Sequence, residues 1–291
     1  MVMKQLNRNI LFILLFSSII YAQDNLESLL GPLSSNSIIT NTFKSTRVIN
    51  AHSIEIFEPH QLDLRISHRF GLLNSGAYEL YGLDQATIRI GLEYGLMKNM
   101  MLGVGRSSYN KTYDGFIKYI LLKQQRGDVN IPLSIAYFSN IALTSLKQNY
   151  EDYPFTGRLS FCNQFILASK INSILSVQLM PTIVHWNMVD ESSEANNIYL
   201  MGLAARYMIS KSVSINSEYF IRYFNNSNLS TDNYFNSFSL GVDIETGGHV
   251  FQLHITNSLP MYESGFMTRT QSAWPEGGIH FGFNISREFN L

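Results

Sequence analysis

The sequence predicts an all-β protein: a single antiparallel up-and-down transmembrane β-barrel of about twelve strands, with ten or fourteen as alternatives. Three observations predict it. A short apolar segment follows basic residues at the N-terminus, polar and apolar residues alternate with a period of two from about residue 60, and long and short connections alternate. Since no later stretch is long and apolar enough for a membrane helix, an exported chain can span a bilayer only as a closed barrel.

The N-terminus predicts a signal peptide over residues 1–22. Lys4 and Arg8 precede the apolar run Ile10–Ile20, and Ala22 offers a cleavage site. We expect residues 23–58 to form an N-terminal leader and residues 59–291 to form the barrel. The predicted location is the outer membrane, where outer-membrane lipid and the barrel assembly machinery are the expected partners.

The composition excludes several classes of protein. The chain of 291 residues is 45% hydrophobic and only 15% charged, against about 25% charged in soluble domains. Its net charge of −1 leaves no basic surface for nucleic acid, so nucleic acid is not an expected partner. The single Cys excludes a disulfide scaffold and a two-cysteine redox site.

Alternating polarity identifies the strands. In the first segment Leu62, Leu64 and Ile66 share one face and Asp63 and Arg65 share the other, as side chains of a strand do. Most segments contain ten to thirteen residues, near the roughly 9–11 needed to cross a bilayer. The twelve segments are 61–71, 84–96, 100–109, 113–123, 130–140, 157–168, 173–186, 198–208, 213–223, 236–245, 249–257 and 278–290. Segment 100–109 is the weakest, and a short strand at 53–57 would raise the count.

The connections between segments alternate in length, which is typical of outer-membrane barrels with long external loops and short periplasmic turns. An even number of strands places both termini in the periplasm. The long connections are 72–83, 141–156, 187–197, 224–235 and 258–277, and the short ones are 97–99, 124–129, 169–172, 209–212 and 246–248, with 110–112 a short exception among the external loops. The closing aromatic residues Phe281, Phe283 and Phe289 are similar to the C-terminal insertion signal of such proteins, although the last residue is Leu291.

The polar faces predict the lining of the lumen. They carry seven basic and seven acidic residues, and a strongly ion-selective pore would be unbalanced. We therefore interpret these charges as pairs across neighbouring strands that stabilise the wall. The lumen-lining candidates are Arg65, Arg69, Arg89, Glu93, Asp114, Lys118, Arg158, Arg206, Glu218, Arg222, Asp243, His254 and His280.

The leader is long enough to fold back into the barrel as a plug. It is rich in Ser, Asn and Thr, and its candidate plug residues are Phe43, Lys44, Arg47 and His52. The alternative is a periplasmic segment outside the lumen.

Few residues suggest chemistry. His254 and His280 could face one another across adjacent strands, but neither a metal site nor a catalytic residue is predicted, and we expect no cofactor and no enzyme activity. The leading hypothesis is a channel or binding barrel for a small solute. The alternative is a structural or scaffolding barrel that docks a periplasmic or electron-transfer partner, and a membrane-embedded hydrolase is a third.

Several stretches together resemble an uncharacterised Bacteroidetes-type outer-membrane β-barrel family, a β-barrel domain of unknown function. Ala51 stands where that family has Gly. The resemblance implies an outer-membrane barrel and no reaction. The stretches are Phe43–Ser53, Gly82–Arg89, Gly105–Ser108 with Lys111–Gly115, Gly247–Gln252 with Thr256–Ser258, and Phe281–Arg287.

Overall fold

The computed structural model describes residues 36–147, 154–189, 194–223, 234–246 and 249–291. The predicted signal peptide, the first part of the leader and the tips of several connections lie outside these ranges. No helix within the described ranges is long and apolar enough to cross a bilayer.

The described residues form a closed β-barrel of twelve strands, in which each strand pairs antiparallel with its sequence neighbour and the last pairs with the first. The predicted fold class and strand number are confirmed. The strands are β1 Gln61–Leu72, β2 Ala86–Met97, β3 Met100–Ser107, β4 Thr112–Leu122, β5 Ser134–Thr144, β6 Leu159–Lys170, β7 Leu175–Trp186, β8 Asn197–Met208, β9 Val213–Tyr223, β10 Phe238–Thr246, β11 His249–Thr256 and β12 His280–Asn290.

Two local predictions were wrong. The fifth strand begins at Ser134 rather than at residue 130, because the preceding turn contains a two-residue strand, Gln125–Arg126, that pairs with Ser37–Ile38 of the leader. Residues 53–57 form no strand. That segment bonds to side chains of the barrel wall instead of to a neighbouring strand.

The two faces of the wall differ as the alternation predicts. Outward residues such as Ile88, Ile90 and Leu92 are exposed on the surface that faces lipid, whereas Arg89 and Glu93 of the same strand are buried in the lumen. Burial of charge inside and exposure of apolar side chains outside is the arrangement of a membrane barrel.

Strand β3 shows why the pattern of segment 100–109 is weak. Its inward positions include Gly103 and Gly105, which leave room for neighbouring side chains. A Cβ atom on Gly105 would lie 2.4 Å from the guanidinium of Arg89. Arg89 on β2 thereby reaches across β3 and binds Asp114 on β4. The inward face of β3 has glycine at two positions where larger neighbours occupy the space, so its polar and apolar residues do not alternate clearly.

The lumen is filled by two segments. Residues 42–57, here called the periplasmic hairpin, enter from the end of the barrel at which β1 begins and β12 ends, which the pattern of connections assigns to the periplasm. Residues 257–270, here called the inward loop, enter from the opposite end between β11 and β12 and contain the α-helix Glu263–Thr268. We expected residues 258–277 to form an exposed external loop, and that prediction was wrong for the buried part. The apolar side chains of Met261, Phe266 and Met267 are buried inside the barrel, and removal of their surface from water favours the inward position of the loop.

Candidate functional site

The structure places most predicted lumen residues inside the barrel. Arg158 and Arg222 are instead half-buried at the external end. Those with at most 5% of their surface exposed are Arg65, Arg69, Arg89, Glu93, Asp114, Lys118, Arg206, Glu218, Asp243, His254 and His280. Among the plug candidates, Phe43, Arg47 and His52 are buried in the lumen, and Lys44 lies at the periplasmic rim against Glu245.

The periplasmic hairpin is a local structure of its own. The backbone N–H of Ser53 donates to the carbonyl of Thr46 at 2.9 Å, and that of Val48 donates to the carbonyl of Ala51 at 2.8 Å. These bonds pair Arg47 with His52 and leave a turn over residues 48–51 at the tip. The turn leaves several backbone N–H groups without a partner in the hairpin, so the barrel wall must satisfy them.

Glu218 on β9 binds this turn. Its carboxylate accepts backbone N–H groups at 3.3, 3.0 and 3.0 Å, from Ile49, Asn50 and Ala51. The side-chain amide of Asn50 donates to the same carboxylate at 2.7 Å. A buried carboxylate is tolerated when several donors surround it. The charge of Glu218 therefore fastens the hairpin tip to the wall.

Other wall side chains bind the hairpin through its main chain. Lys118 donates to the carbonyls of Ser53 and Glu55 at 3.0 and 2.5 Å. Gln178, Gln252 and Asn284 donate to the carbonyls of His52, Val48 and Ile49 at 2.9, 2.9 and 3.1 Å, respectively. Side chains of the wall take the place of the strand ladder that the hairpin lacks.

Arg47 joins the hairpin to both the wall and the inward loop. Its guanidinium lies 3.4 Å from the carboxylate of Glu93 on β2 and donates to Glu263 at 2.6 Å. Thr46 donates to Glu93 at 2.7 Å. Breaking a buried pair of this kind leaves an uncompensated charge, which is strongly unfavourable.

His52 lies beside the same carboxylate, with its Nε2 3.3 Å from Glu263. Burial, followed by the nearby cations Arg47 and Lys118, lowers the pKa of His52 well below its ordinary value of 6.5. Burial raises the pKa of Glu263 above its ordinary value of 4.5, against the attraction of Arg47. His52 is therefore a neutral ring at neutral pH, and it packs against Phe116 and Phe138.

Arg269 fastens the inward loop at the external end. Its guanidinium lies between the rings of Trp186 and Tyr234, 4.8 and 4.9 Å from their centroids. It donates to Glu194 at 2.7 Å and to the hydroxyl of Tyr234 at 2.6 Å. The contacts connect the inward loop with two other external connections and with the end of β7. Arg269 thus holds the inward loop at its external end, and Arg47 holds it at its inner end through Glu263.

The interpretation that the lumen charges pair mainly across neighbouring strands is wrong. Arg89 and Asp114 bridge β2 and β4 over the intervening strand, and Glu93 and Glu218 bind the hairpin. The lumen of this barrel contains a second layer of chain, and that layer supplies much of the pairing.

His254 and His280 do not share a site. The Nε2 atom of His254 lies 3.1 Å from the guanidinium of Arg69. The Nδ1–H of His280 donates to the carbonyl of Phe70 at 2.9 Å. Within the described ranges, no group of three His, Cys, Asp or Glu residues is placed to hold a metal ion. The lone Cys162 is fully buried.

Described residues line three cavities inside the barrel. Two lie at the external end, with about 150 and 270 Å³. The third, at the tip of the periplasmic hairpin, has about 10 Å³, which is room for about one water molecule. The two external cavities are therefore much larger than the one at the hairpin tip.

Sequence reasoning missed three central residues. Asn50, Glu263 and Arg269 lie in segments that we assigned to a leader or an exposed loop. One signal was present: the connection 258–277 contains the apolar run Leu259–Tyr262 and the pair Phe266 and Met267, whereas the connections 187–197 and 224–235 are mainly polar. The signal does not identify a buried segment by itself, because the connection 72–83 is also rich in apolar residues and its Tyr78 and Leu80 are exposed.

The chain belongs to the family of membrane-bound β-barrel domains of unknown function (DUF5777), whose model matches residues 43–289. The match begins at Phe43 and therefore includes nearly the whole periplasmic hairpin. This agrees with the family resemblance of the sequence, and the protein is a β-barrel of the outer membrane.

Solved structures with a similar fold are outer-membrane barrels. The NanC porin is 9% identical over 79% of this chain and 100% of its own, with a TM-score of 0.50. An outer-membrane channel from Pseudomonas putida F1 is 12% identical over 81% of this chain and 97% of its own, with a TM-score of 0.47. Outer membrane phospholipase A from Escherichia coli is 12% identical over 79% and 90%, with a TM-score of 0.43. At these identities the likeness concerns the fold alone. No curated protein matches the chain in sequence.

Proposed function

We propose that this member of the membrane-bound β-barrel family is a gated channel for a small polar solute, with the periplasmic hairpin as its gate and the closed state described here. The observation that carries the proposal is the way the hairpin is held. Its turn and its carbonyl groups are bound by wall side chains, through Glu218, Lys118 and Gln252. If the hairpin leaves, those side chains remain as a polar lining that water can solvate.

The attachment of the hairpin also supports release toward the periplasm. Both of its ends lie at the periplasmic rim, where Lys170 donates to the carbonyl of Thr40 at 3.0 Å and His60 donates through its backbone N–H to Gly95 at 2.9 Å. The hairpin is not threaded through the barrel. Its withdrawal requires breaking side-chain contacts but no barrel strand has to separate.

The test is single-channel conductance in planar bilayers for the wild type, for Glu218→Gln and for a variant lacking residues 42–57. We expect the wild type to be closed most of the time, Glu218→Gln to open more often, and the deletion to conduct continuously. Glu276→Gln is the matched control, because Glu276 is exposed in the connection between β11 and β12, at the end of the barrel opposite the hairpin. Heat-dependent migration on gels verifies that each barrel is folded. A folded deletion variant that stays closed would overturn the proposal.

A second function, a permanently filled scaffolding barrel, is favoured by a different observation. The hairpin also buries Phe43, Val48 and Ile49 in an apolar cluster that includes Phe138 and Phe220 of the wall, much like the core of a soluble domain. In that case loss of the hairpin unfolds the barrel instead of opening it. The same gel assay separates the two functions.

A further inference from the structure

The barrel wall has a notch at its external end, where β10 is shorter than its neighbour β9. On one side, β9 stays paired with β8 as far as Tyr223, which lies opposite Tyr199. On the other side, the pairing of β9 with β10 ends at Tyr219 and Phe238, four residues lower along β9. Irregular chain from two connections therefore occupies the place beside the end of β9.

A groove of about 560 Å³ lies at this notch, within the roughly 300–1,000 Å³ of sites for small ligands. Tyr219 and Phe238 belong to the outward face of the wall, because they alternate with the buried Glu218 and Ser239. The groove is therefore on the outer side of the barrel. Its lining is mainly aromatic and apolar, with Tyr219, Phe235, Phe238, Ala273, Trp274 and Pro275 beside the amides of Asn236 and Asn257.

The groove lies at the depth of the membrane. Tyr199 and Tyr223, with 48% and 59% of their surface exposed, are outward rings of the kind that mark the interface of a membrane barrel. Tyr219 lies roughly 13 Å below this level along β9, at about 3.4 Å per residue. Further down, the outward residues Ile215 and Leu240 are exposed on the same two strands. The groove is thus continuous with the lipid-facing wall, and lipid is what covers it.

The polar groups around the notch are bonded within the protein, as backbone groups at membrane depth must be. The side chain of Asn257 accepts the backbone N–H of Phe238 at 2.8 Å and donates to the carbonyl of Asn236 at 2.9 Å. The indole N–H of Trp274 donates to the carbonyl of Phe238 at 3.0 Å, and the side-chain amide of Asn236 donates to the hydroxyl of Tyr219 at 3.1 Å. These bonds fix the rings in place, and the groove offers a ligand mainly their apolar surface.

We propose that this groove binds one acyl chain of an outer-leaflet lipid, with Phe235, Phe238 and Trp274 as its main contacts. A groove of rings favours a hydrocarbon chain over a sugar, because the chain gains by covering apolar surface. The segment 273–275 follows the inward loop along the chain, so the bound lipid packs against the place where that loop returns to the wall. The site goes beyond the proposed channel function and does not depend on it.

Binding is tested with the full-length protein in detergent, using Trp274 as the reporter. The chain has two Trp residues, so Trp186→Phe leaves Trp274 alone. Phosphatidylethanolamine with a dibrominated acyl chain is titrated, because bromine quenches Trp fluorescence on contact, and the same lipid without bromine is the reference. We expect quenching that saturates at a single brominated lipid per barrel. Quenching that only follows the brominated fraction of the micelle, or no quenching, would overturn the site.

Variants locate the site. We expect Phe238→Ala to weaken lipid binding by about tenfold, since it removes the apolar contact of one aromatic side chain. Because Phe238 belongs to a strand, Phe235→Ala provides a second variant in the preceding connection, where Phe235 is 37% exposed, and it is expected to weaken binding too. Phe251→Ala is the matched control, since Phe251 is an exposed outward residue of β11 outside the groove. Unchanged affinity in Phe235→Ala and in a folded Phe238→Ala would refute the site.

The oligomeric state distinguishes a lipid from a second copy of this chain as the occupant of the groove. Size-exclusion chromatography with light scattering in detergent measures it. We expect the wild type, Phe235→Ala and Phe238→Ala to have the same oligomeric state. A dimer that the two groove variants dissociate would assign the groove to a second copy and overturn the lipid site. None of these measurements depends on conductance, so the lipid site and the channel can fail separately.

Discussion

The periplasmic hairpin and the inward loop both fill the lumen, and the balance of the contacts that hold them differs. Along the hairpin many wall side chains, such as Glu218, bind the main chain. The wall binds the main chain of the inward loop through Arg69, and the loop adds side-chain contacts of its own, as when Arg269 binds Glu194 and Ser264 binds Ser160. The space around them differs as well, because the external cavities are far larger than the one at the hairpin tip. Under the proposed channel function, the external end is the entrance and the periplasmic hairpin is the seal.

The two segments meet at Glu263. This residue begins the helix of the inward loop and accepts Arg47 of the hairpin, while Arg269 follows the end of the same helix. This short helix thus connects the contacts of Arg269 at the external end with the contact to Arg47 in the periplasmic hairpin. The following predictions test how far the two segments depend on each other, in order of decreasing effect.

The largest effect is expected from Arg47→Met. The substitution leaves the buried carboxylates of Glu93 and Glu263 without their shared cation, so we expect a loss of about 3–5 kcal/mol in the free energy of unfolding. Urea unfolding in detergent, followed by Trp fluorescence, measures it. Lys44→Met is the control, since the partly exposed Lys44–Glu245 pair contributes about 0–1 kcal/mol. Equal losses in both variants would show that the Arg47–Glu263 contact stabilises the barrel no more than a pair at the rim.

A smaller effect is expected from a substitution at Gly105 in β3. Gly105→Ala places a methyl group 2.4 Å from Arg89, and we expect a loss of about 1–3 kcal/mol from this overpacking. Gly115→Ala is a matched control in the adjacent strand, where the nearest atom would lie at 3.8 Å. If the two alanine variants unfold at the same urea concentration, the wall at β3 is looser than its geometry indicates.

The pH dependence of the seal follows from His52. Its folded pKa lies below 6.5 while the unfolded chain keeps the ordinary value, so the unfolded chain takes up the proton first. The stability associated with neutral His52 is therefore present above about pH 6.5 and is lost as the pH falls below it. The charged groups with which His52 interacts are Arg47, Lys118, Arg65, Arg89 and Glu263.

His52→Phe isolates this contribution, because a phenyl ring suits the contacts with Phe116 and Phe138. The raised pKa of Glu263 acts in the opposite direction and is common to both proteins. We expect the wild type to lose more stability than His52→Phe between pH 7.5 and 5.5, measured by urea unfolding at each pH. Parallel losses would assign the pH dependence to other groups.

The smallest effect is expected from locking the inward loop. The hydroxyl oxygens of Ser160 on β6 and Ser264 in the loop are 2.7 Å apart, so cysteines at these positions, in a Cys162→Ala background, are placed to form a disulfide. If the hairpin alone is the gate, oxidation leaves the conductance of Glu218→Gln unchanged. A conductance that disappears on oxidation and returns on reduction would make the inward loop part of the gate.

The sequence by itself determined the wall of this barrel. Period-two alternation depends on each residue and its nearest neighbours, so the strands and the two faces could be assigned without knowing the fold. The order of long and short connections gave the two ends of the barrel in the same way. For Glu93 and Lys118, an inward position followed from the pattern alone.

Only the tertiary structure decided what fills the lumen and which charges pair with one another. Arg47 finds Glu263 216 positions along the chain, and Glu218 finds the hairpin turn 168 positions away. Such pairs depend on which segments turn inward, and the energy of that choice is shared between apolar burial and polar contacts from many strands. For that reason a balanced count of charges on the strands did not show that Glu93 and Glu218 would bind the hairpin.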